Sequence, residues 1–460
     1  MSSTAKAKFH LGKVWKLKGA KQMAVSAFRE ALEQNPTYVE ARIALADVLL
    51  DEGKITEALE QYDLALDIEP DHPQLKFRRR YLRTLSGDKP DSASTLVNLE
   101  YEDRPNGKLC LKQQKRFSCH RGGWNAAIDT LRELNNRNGV LFDSFIEDNF
   151  AWKHWKEGVR EPNVLKRLMH EGGFEALATS EEKGITPYRR PWVGVLHNPH
   201  NMPNWFHYQE SPQSIFAKDI WKRSAEHCLG LFCLSEYQAV WLRTQVDCPI
   251  STLIHPAQIP DAQFDFSRFE RNPSKQVVQV GWWLRKLNSI YQLPISTANP
   301  MGYQKIRLVP RFFDDADRYL KELIAKEEET FGIKAAQQFM ENTREVQHLS
   351  NAEYDALLAE NIVFVELHDA GANNTVVECI ARSTPIFVNK LPSVVEYLGE
   401  DYPLFYESLE EAAEKAMDIE LVESAHLYLK SCPTRKKLSF DYFKESVEAS
   451  EIYKSLPSTS

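Results

Sequence analysis

The chain has 460 residues, of which 43% are apolar and 27% charged, as is usual for a folded protein with a packed core. Its formal net charge of −8 argues against general binding of nucleic acid or of an anionic membrane. No stretch approaches the ~18 apolar residues that cross a bilayer, and the first residues lack the apolar core of a signal peptide. This length predicts about three domains.

The seven cysteines are scattered along the chain and contain no C-x-x-C pair. An odd number of dispersed thiols is typical of a reducing compartment and not of a disulfide-bonded secreted protein. We therefore expect a cytoplasmic protein with buried, unpaired thiols.

The N-terminal part contains an internal repeat at the tetratricopeptide period of about 34 residues. The recurring residues are Ala24, Phe28, Ala31 and Pro36, which return as Ala58, Tyr62, Ala65 and Pro70, while Gly19 returns as Gly53. Residues 74–85 predict a further, arginine-rich helix that caps the array, so residues 1–88 form the first predicted domain. Such an array either binds a peptide or partner protein or serves as a packing or dimerisation element, and the pattern favours neither.

Residues 86–94 predict a linker, and beyond it predicted strands and helices alternate, as in an α/β fold. Gly122 and Gly123 lie between a predicted strand, 116–120, and a predicted helix, 124–134. A glycine pair at such a junction lets the backbone approach a ligand or a facing domain, although a plain tight turn explains it equally well.

Three acids follow the next predicted strand, residues 139–145. They are Asp143, Glu147 and Asp148. The pattern is compatible with a solvated loop and with a catalytic carboxylate.

The loop after the predicted strand 191–196 is rich in groups that recognise sugars. It contains two His, three Asn and an aromatic pair on a backbone that prolines stiffen. His197 is the first side chain beyond the strand, His200 follows it, and Trp205 is suited to stack on a sugar face. A metal site is disfavoured because no carboxylate or cysteine stands at ligand spacing from the two histidines.

The segment from residue 361 to 388 predicts a phosphate-binding turn between two buried strands. An apolar run, 361–366, precedes the turn Gly371 to Thr375, which contains good helix N-caps, and a helix is predicted over 375–382. Thr384 and Pro385 end that helix before the next strand. The helix N-terminus presents unpaired N–H groups at the carboxyl edge of a strand, where open α/β sheets hold phosphates.

A basic pair, Arg285 and Lys286, follows the predicted strand 277–283. In an acidic chain this pair is a candidate to neutralise phosphate. Adjacent side chains seldom face the same way, so we expect only one of the two to contact the phosphate. We favour Arg285 because its guanidinium can contact two oxygens.

The segment around Glu378 resembles the donor-binding segment of GT-B glycosyltransferases, especially those of family 4. In that family a loop and helix carry Glu-x7-Glu before a Gly-Thr-Pro-like turn; here Glu378 matches the second Glu and residues 383–385 match the turn. The position of the first Glu holds Ala370, with Asp369 beside it. The resemblance covers about residues 110–430.

The resemblance implies an α/β fold of two Rossmann-like domains, residues 98–262 and 263–430, preceded by the repeat array and followed by a helix, 431–460, that crosses back. It implies the donor-binding residues Arg285, Lys286, Gly371, Asn373, Asn374, Thr375 and Glu378. It also implies His197 and Asp369 as catalytic groups. Gly122, Gly123, His200 and Trp205 are the predicted acceptor-binding residues.

The sequence thus predicts a glycosyltransferase that moves a sugar, most simply a hexose, from a nucleotide-diphosphate donor to a hydroxyl of a glycan or protein. A transferase of this fold needs no metal or other cofactor, because Arg, Lys and a helix N-terminus stabilise the departing diphosphate. Two alternatives stay open: a non-catalytic tetratricopeptide scaffold with a degenerate transferase domain, and a nucleotide-sugar epimerase of the same fold.

Overall fold

The structure is a computed structural model that describes residues 3–18, 20–52, 54–69, 75, 94–98, 101–117, 123–150, 187–309, 316–332, 334–347 and 349–458. The chain divides into two compact units. The first contains Met1–Thr95 and Gly158–Ile185, and the second contains Leu96–Glu157 and Thr186–Ser460. None of the helices in the described ranges combines the length and apolarity that a bilayer span requires.

The described residues of the first unit include four helices, arranged as two helical pairs. They are α1 (Ser3–Leu17), α2 (Lys21–Gln34), α3 (Val39–Asp51) and α4 (Ile55–Ile68). The repeated small and aromatic residues form its core, since Ala24, Phe28, Ala58 and Tyr62 are all fully buried. Gly12 permits this packing, because a Cβ there would lie 2.5 Å from the Phe28 ring. Apart from Leu75, which is buried in the core of the repeats, the predicted capping helix lies outside the described residues, as does most of the predicted linker.

The strands that follow the repeats are short, and all but the first two residues of β1 lie in the second unit. They are β1 (Ser94–Asn98), β2 (Leu109–Cys110), β3 (Gln113–Phe117), β4 (Val140–Asp143), β5 (Trp192–Leu196), β6 (Cys228–Cys233), β7 (Ile250–Thr252), β8 (Gln276–Gln279), β9 (Gln304–Val309), β10 (Thr343–Gln347), β11 (Ile362–Val365), β12 (Ile386–Asn389) and β13 (Phe405–Tyr406).

Helices alternate with these strands. They are α5 (Trp124–Thr130), α6 (Ile146–Phe150), α7 (Pro212–Ala217), α8 (Asp219–Ala225), α9 (Glu236–Leu242), α10 (Phe266–Arg271), α11 (Ser289–Gln292), α12 (Ala316–Phe331), α13 (Gln337–Met340), α14 (Asn351–Glu360), α15 (Asn374–Arg382), α16 (Pro392–Leu398), α17 (Leu409–Met417), α18 (Ile419–Ser431), α19 (Pro433–Lys437), α20 (Phe440–Ala449) and α21 (Glu451–Ser455).

Two parallel sheets organise this unit. The first has the order β2-β4-β5-β6-β7, and the second has the order β10-β9-β8-β11-β12-β13. Numbered from its own first strand, the second sheet runs 3-2-1-4-5-6, which is the Rossmann order. Strand β11 is fully buried along its length, because helices cover both faces of a parallel sheet. The predicted fold class, helical repeats followed by two Rossmann-like α/β sheets, is confirmed.

The Rossmann order places a topological switch point between β8 and β11, which pair directly. Connections leave these two strands toward opposite sides of the sheet, so a crevice opens beyond their carboxyl ends. The loop after β8 carries Arg285, and the loop after β11 leads into α15. Both segments that the sequence singled out for phosphate binding therefore lie at one point of the fold.

Several predicted elements differ from the observed ones. The strand predicted over 116–120 corresponds to β3, which begins at Gln113, and the helix predicted over 124–134 is α-helical only to Thr130. The strand predicted over 277–283 ends at Gln279, because Gly281 and Leu284 adopt positive φ and turn the chain. The single helix predicted over 214–227 is two helices, α7 and α8, since Lys218 between them is extended. The helix predicted over 440–455 is likewise interrupted at Ser450, which caps α21.

The C-terminal helices α20 and α21 pack on the first sheet. Phe443, Val447 and Ile452 belong to the same buried cluster as the strand residues Val193 and Phe232. The approach of α21 is close, because a Cβ on Gly230 would lie 2.7 Å from Ile452. The end of the chain therefore covers one face of the first sheet.

Candidate functional site

The Arg285 side chain is the centre of the site. It is only 7% exposed, and its guanidinium reaches from the loop after β8 to the start of α15. Nη2 donates to Thr375 Oγ1 at 2.8 Å and to Asn373 Oδ1 at 3.4 Å, while Nη1 donates to the Trp283 carbonyl at 2.6 Å. Gly281 makes room for it, because a Cβ at that position would lie 2.9 Å from the guanidinium.

Helix α15 begins one residue earlier than predicted. Asn373 is its N-cap, and the Asn373 side chain accepts a hydrogen bond from the Val376 N–H at 3.2 Å. Asn374 and Thr375 form the first turn, where the N–H groups point toward the N-terminal end of the helix. The positive end of this helix thus faces the Arg285 guanidinium.

Two sources of positive charge meet here, and the nearby Glu378 carboxylate acts on Arg285 only through its charge, without a direct ion pair. Within the described part of the chain, no acidic side chain forms an ion pair with Arg285, and its Nε has no hydrogen-bond partner. Burial lowers the pKa of Arg285 to about 10. A buried cation beside a helix N-terminus is unfavourable in isolation, so the arrangement favours binding of an anion.

Lys286 does not reach this place. Its Nζ lies 2.6 Å from Glu366 Oε1, and its side chain is 36% exposed. The two adjacent basic residues therefore face different ways, and Arg285 is the one that contacts the helix.

Glu378 is bound within the protein. Tyr354 Oη donates to Glu378 Oε2 at 2.5 Å, and Arg382 Nη1 lies 3.9 Å from the same oxygen. Arg382 also pairs with Asp355 at 2.6 Å, while burial raises the pKa of Tyr354. A contact from Glu378 to a sugar hydroxyl therefore requires that it share or exchange these partners.

The His197 imidazole is held on three sides. It stacks on Phe145 with ring centres 3.9 Å apart, and the Trp124 ring meets it edge-on at 4.6 Å. On the third side Glu147 Oε2 lies 3.6 Å from Nδ1. Both ring nitrogens are buried, and among the described residues neither has a hydrogen-bond partner.

Glu147 fixes the start of the His197 loop. It is fully buried, and its Oε1 accepts the backbone N–H groups of His197 and Asn198 at 2.5 and 2.7 Å. Of the three acids in this region, Asp143 instead accepts a hydrogen bond from Tyr188 at 3.0 Å, and the Asp148 side chain lies outside the described residues. Glu147 is thus the acid that contacts a predicted catalytic residue.

Asp369 joins the loops of the two sheets. Its Oδ2 accepts the Asn201 N–H at 3.2 Å and lies 3.4 Å from Tyr237 Oη. The carboxyl group is 3% exposed, and burial raises its pKa. Trp283 makes a parallel link, because its Nε1 donates to Asn198 Oδ1 at 3.0 Å.

The predicted acceptor residues are not gathered at this point. His200 stacks on Trp241 at 4.9 Å, and burial lowers its pKa. Trp205 is partly buried, and its ring meets the rings of Phe206 and His368 at nearly right angles. Gly123 has a φ of +76° and approaches the backbone of residues 256–257, which means that it faces another segment of the chain. Gly122 lies outside the described residues.

A cavity of about 30 Å³ lies between the two loops, enough for roughly one water molecule. The lining residues that matter are His197, Asn198, Arg285, Asp369 and Asn373. Gly371 holds the loops together at this point, because a Cβ on it would lie 2.7 Å from the His197 carbonyl and 2.6 Å from Gln238 Oε1. The two predicted catalytic residues and three of the predicted donor-binding residues, Arg285, Gly371 and Asn373, therefore line one small cavity. Lys286, Asn374, Thr375 and Glu378 are not among its lining residues.

Sequence reasoning missed two contributors. His368 precedes Asp369, and its Nε2 lies 3.2 Å from Glu327 Oε1, with both side chains 5% exposed. Glu396 accepts the N–H groups of Glu236 and Tyr237 at 2.7 and 2.6 Å, which caps α9. Both contacts join residues far apart in sequence, so spacing could not reveal them. The only local signal was that His368 follows β11.

The N-terminal repeats match a known family. Residues 21–77 match the tetratricopeptide repeat family model, which confirms the predicted repeat array. No curated protein matches the chain at a significant level.

Several solved structures are similar to the chain. A UDP-forming α,α-trehalose-phosphate synthase from Burkholderia xenovorans is 14% identical with a TM-score of 0.41, over 73% of this chain and 78% of that one. An Anabaena protein in complex with UDP and glucose is 13% identical with a TM-score of 0.42, over 63% and 81%. An O-GlcNAc transferase mutant from Thermobaculum terrenum is 12% identical with a TM-score of 0.38, over 96% and 89%. At these TM-scores the fold assignment rests on the strand order of the two sheets.

Proposed function

We propose that the chain is a glycosyltransferase that binds a nucleoside-diphosphate sugar at the switch point of the second sheet. The observation that carries the proposal is the buried Arg285 guanidinium, which meets the N-terminus of α15 and forms no ion pair with an acidic side chain in the described ranges. A diphosphate provides the negative charge that suits this position. The resemblance of the segment around Glu378 to GT-B transferases points to the same ligand class.

The same groups account for departure of the nucleotide. When the bond between the sugar and the diphosphate breaks, negative charge grows on the diphosphate oxygens. Arg285 and the first N–H groups of α15 stabilise that charge from fixed positions. The proposed reaction therefore needs no metal ion.

His197 is the proposed general base toward an acceptor hydroxyl. Phe145 and Trp124 hold the ring, and Glu147 lies on its Nδ1 side. A proton on Nδ1, facing the carboxylate, leaves Nε2 unprotonated to accept the proton of the hydroxyl as it attacks the sugar.

Donor binding requires the loops to separate. Sites for ligands of this size are on the order of 300–1,000 Å³, whereas the cavity is about 30 Å³. We propose that residues 369–373 move away from residues 197–199 to admit the diphosphate. The close approach of Gly371 to the His197 carbonyl is the contact that would be lost in this movement.

The runner-up is a non-catalytic tetratricopeptide scaffold. Two observations favour it: Glu378 already has Tyr354 and Arg382 as partners, and the cavity is small. In either case we propose that the repeat array binds a partner or acceptor protein.

Incubation of the full chain with UDP-, GDP- and ADP-sugars, followed by chromatography of the nucleotides, distinguishes these functions. A transferase releases nucleoside diphosphate from one donor, slowly by hydrolysis and faster with an acceptor, whereas an epimerase makes a new nucleotide sugar. A scaffold leaves every donor intact. Arg285→Met should abolish release, and Lys286→Met is the matched control because Lys286 pairs with Glu366.

A further inference from the structure

Two thiols from separate segments meet on the first sheet. Cys228 is the first residue of β6, and Cys248 lies just before β7. The Cys228 thiol donates to Cys248 Sγ, with the two sulfur atoms 3.8 Å apart. Both residues are partly exposed and neither is in a disulfide.

The segment that carries Cys248 has room to move. Between α9 and β7, Arg243, Thr244, Gln245, Asp247 and Pro249 are all exposed. A disulfide needs an S–S distance of about 2.05 Å. The two sulfur atoms must therefore move closer together from their present separation of 3.8 Å. This approach requires the exposed segment to shift toward the partly exposed start of β6.

The two thiols differ in reactivity. The hydrogen bond from Cys228 lowers the pKa of Cys248, whereas burial raises the pKa of Cys228 well above its usual range. Cys248 is therefore the better nucleophile toward an oxidant, with Cys228 placed to react next.

We propose that Cys228 and Cys248 form a reversible disulfide when the protein meets a hydroperoxide. The Cys248 thiolate attacks the peroxide oxygen, so an S–O bond forms, the O–O bond breaks and an alcohol or water leaves. Cys228 then attacks the resulting sulfenic acid, the S–S bond forms and the hydroxyl leaves as water. The two thiols lose two electrons and two protons in total, and the hydroperoxide takes them up.

The other cysteines give an internal contrast. Cys233, on the same strand, is buried, its Sγ lies 3.5 Å from the Ser235 carbonyl, and burial raises its pKa to about 12. The pair also lacks the further ligands of a metal centre, since the described residues contain no group of three or more His, Cys, Asp or Glu that could hold a metal ion. Oxidation should therefore select the Cys228 and Cys248 thiols.

The test uses the full chain, reduced, freed of reductant and treated with stoichiometric hydrogen peroxide. Remaining thiols are alkylated before tryptic digestion and mass spectrometry. Cleavage after Arg243 separates the two cysteines, so the disulfide appears as two linked peptides that dithiothreitol releases. The Cys233→Ser variant, which removes the other cysteine of the Cys228 peptide, should form the same link.

The expected result is this disulfide as the main oxidised product in the wild type and in Cys233→Ser, and its absence in Cys248→Ser. The proposal is overturned if both thiols remain alkylatable, or if Cys248 is found as sulfinic acid or in a disulfide with another cysteine. The wild-type peptide map decides between these results even if a variant fails to fold. Nothing in this test depends on the proposed transferase activity.

Discussion

Arg285 and Thr375 are ninety positions apart in the chain, yet their hydrogen bond of 2.8 Å defines the proposed anion site. The sequence predicted both residues because each has a local signal: a basic residue beyond a strand, and a capped helix start beyond another. Parallel strands bring such segments to one edge of a sheet. The sequence predicted that the adjacent side chains of Arg285 and Lys286 would point in different directions. It did not predict where the Lys286 side chain would lie.

Glu147 had only a weak signal in the sequence. An acid after a strand is usually solvated, and its contact with His197 depends on the pairing of β4 with β5. The spacing of residues in a sequence does not indicate which strands pair, so it could not predict this contact. The burial of Glu147 and its two backbone hydrogen bonds became evident only from the structure.

Glu147→Gln should lower kcat by about 10²-fold or more while leaving the KM of the donor nearly unchanged. The amide oxygen can still accept the N–H groups of His197 and Asn198, but the amide nitrogen beside Nδ1 favours the wrong tautomer of the ring. Steady-state kinetics with the donor identified by nucleotide release measure both constants. An unchanged kcat in a variant with the wild-type melting temperature would remove His197 and Glu147 from the mechanism.

Lys305 on β9 should make stability depend on pH. The side chain is fully buried and donates to the Leu293 carbonyl at 2.9 Å, and burial lowers its pKa to about 7 from an ordinary value of 10.5. Between these pH values the unfolded chain binds a proton that the folded chain does not, so the free energy of unfolding rises with pH. Lys305 raises the free energy of unfolding by at most about 1.4 kcal/mol per pH unit, and this pH dependence vanishes below the pKa of Lys305 in the folded protein.

Urea titrations of the wild type and of Lys305→Met at pH 7, 8 and 9 measure this contribution. The wild type should gain more stability across the series than the variant does. Parallel pH dependences for the two proteins would mean that Lys305 stays protonated in the folded state.

At the scale of elements, the strands were predicted better than their connections. The apolar runs of β5, β11 and β12 are buried on both faces, and such runs are visible in a sequence. The breaks were not visible, because Lys218 and Ser450 end helices through backbone conformations that most residues can adopt. Positive φ at Leu284, which turns Arg285 toward α15, also has no sequence signature.

Gly371→Ala should separate stability from donor affinity. The added Cβ would meet the His197 carbonyl at 2.7 Å, and this backbone atom cannot rotate away. The contact between the loops after β5 and β11 should weaken, which lowers the free energy of unfolding by about 1–3 kcal/mol. If these loops separate when the donor binds, affinity for the nucleoside diphosphate should stay the same or rise.

Differential scanning calorimetry and a binding titration on the same preparation provide both quantities. A loss of affinity that parallels the loss of stability would show that the loops stay in contact in the bound state, and the proposed opening would then be wrong.

At the scale of the whole molecule, two sequence patterns of different period define two kinds of structure. The repeat of small residues predicted the tetratricopeptide helices, and the strand–turn–helix segments predicted the α/β part. The identities of the partner and the acceptor were not predictable, because they depend on surface residues, which follow no periodic sequence pattern. The small cavity was also not predictable, since it arises where loops from two sheets meet.

Removal of residues 1–88 should leave donor binding intact. Arg285, Thr375, His197 and Asp369 all belong to the second compact unit, which begins at Leu96. The affinity of the truncated protein for the nucleoside diphosphate should therefore equal that of the full chain, provided that the protein shows a cooperative thermal transition. A folded truncation that no longer binds would assign part of the donor site to the repeats.

The central claim is that the Arg285 guanidinium and the N-terminus of α15 bind the diphosphate of a donor. Calorimetric titration of the wild type, Arg285→Met and Lys286→Met with UDP, GDP and ADP, each beside its nucleoside, tests it most directly. One nucleoside diphosphate should bind the wild type and lose about tenfold or more in affinity in Arg285→Met, because a charge-assisted contact is worth ~1.5–3 kcal/mol. The matching nucleoside should be little affected, and Lys286→Met should resemble the wild type. Absence of binding to the wild type, or equal losses for nucleotide and nucleoside in Arg285→Met, would contradict the account.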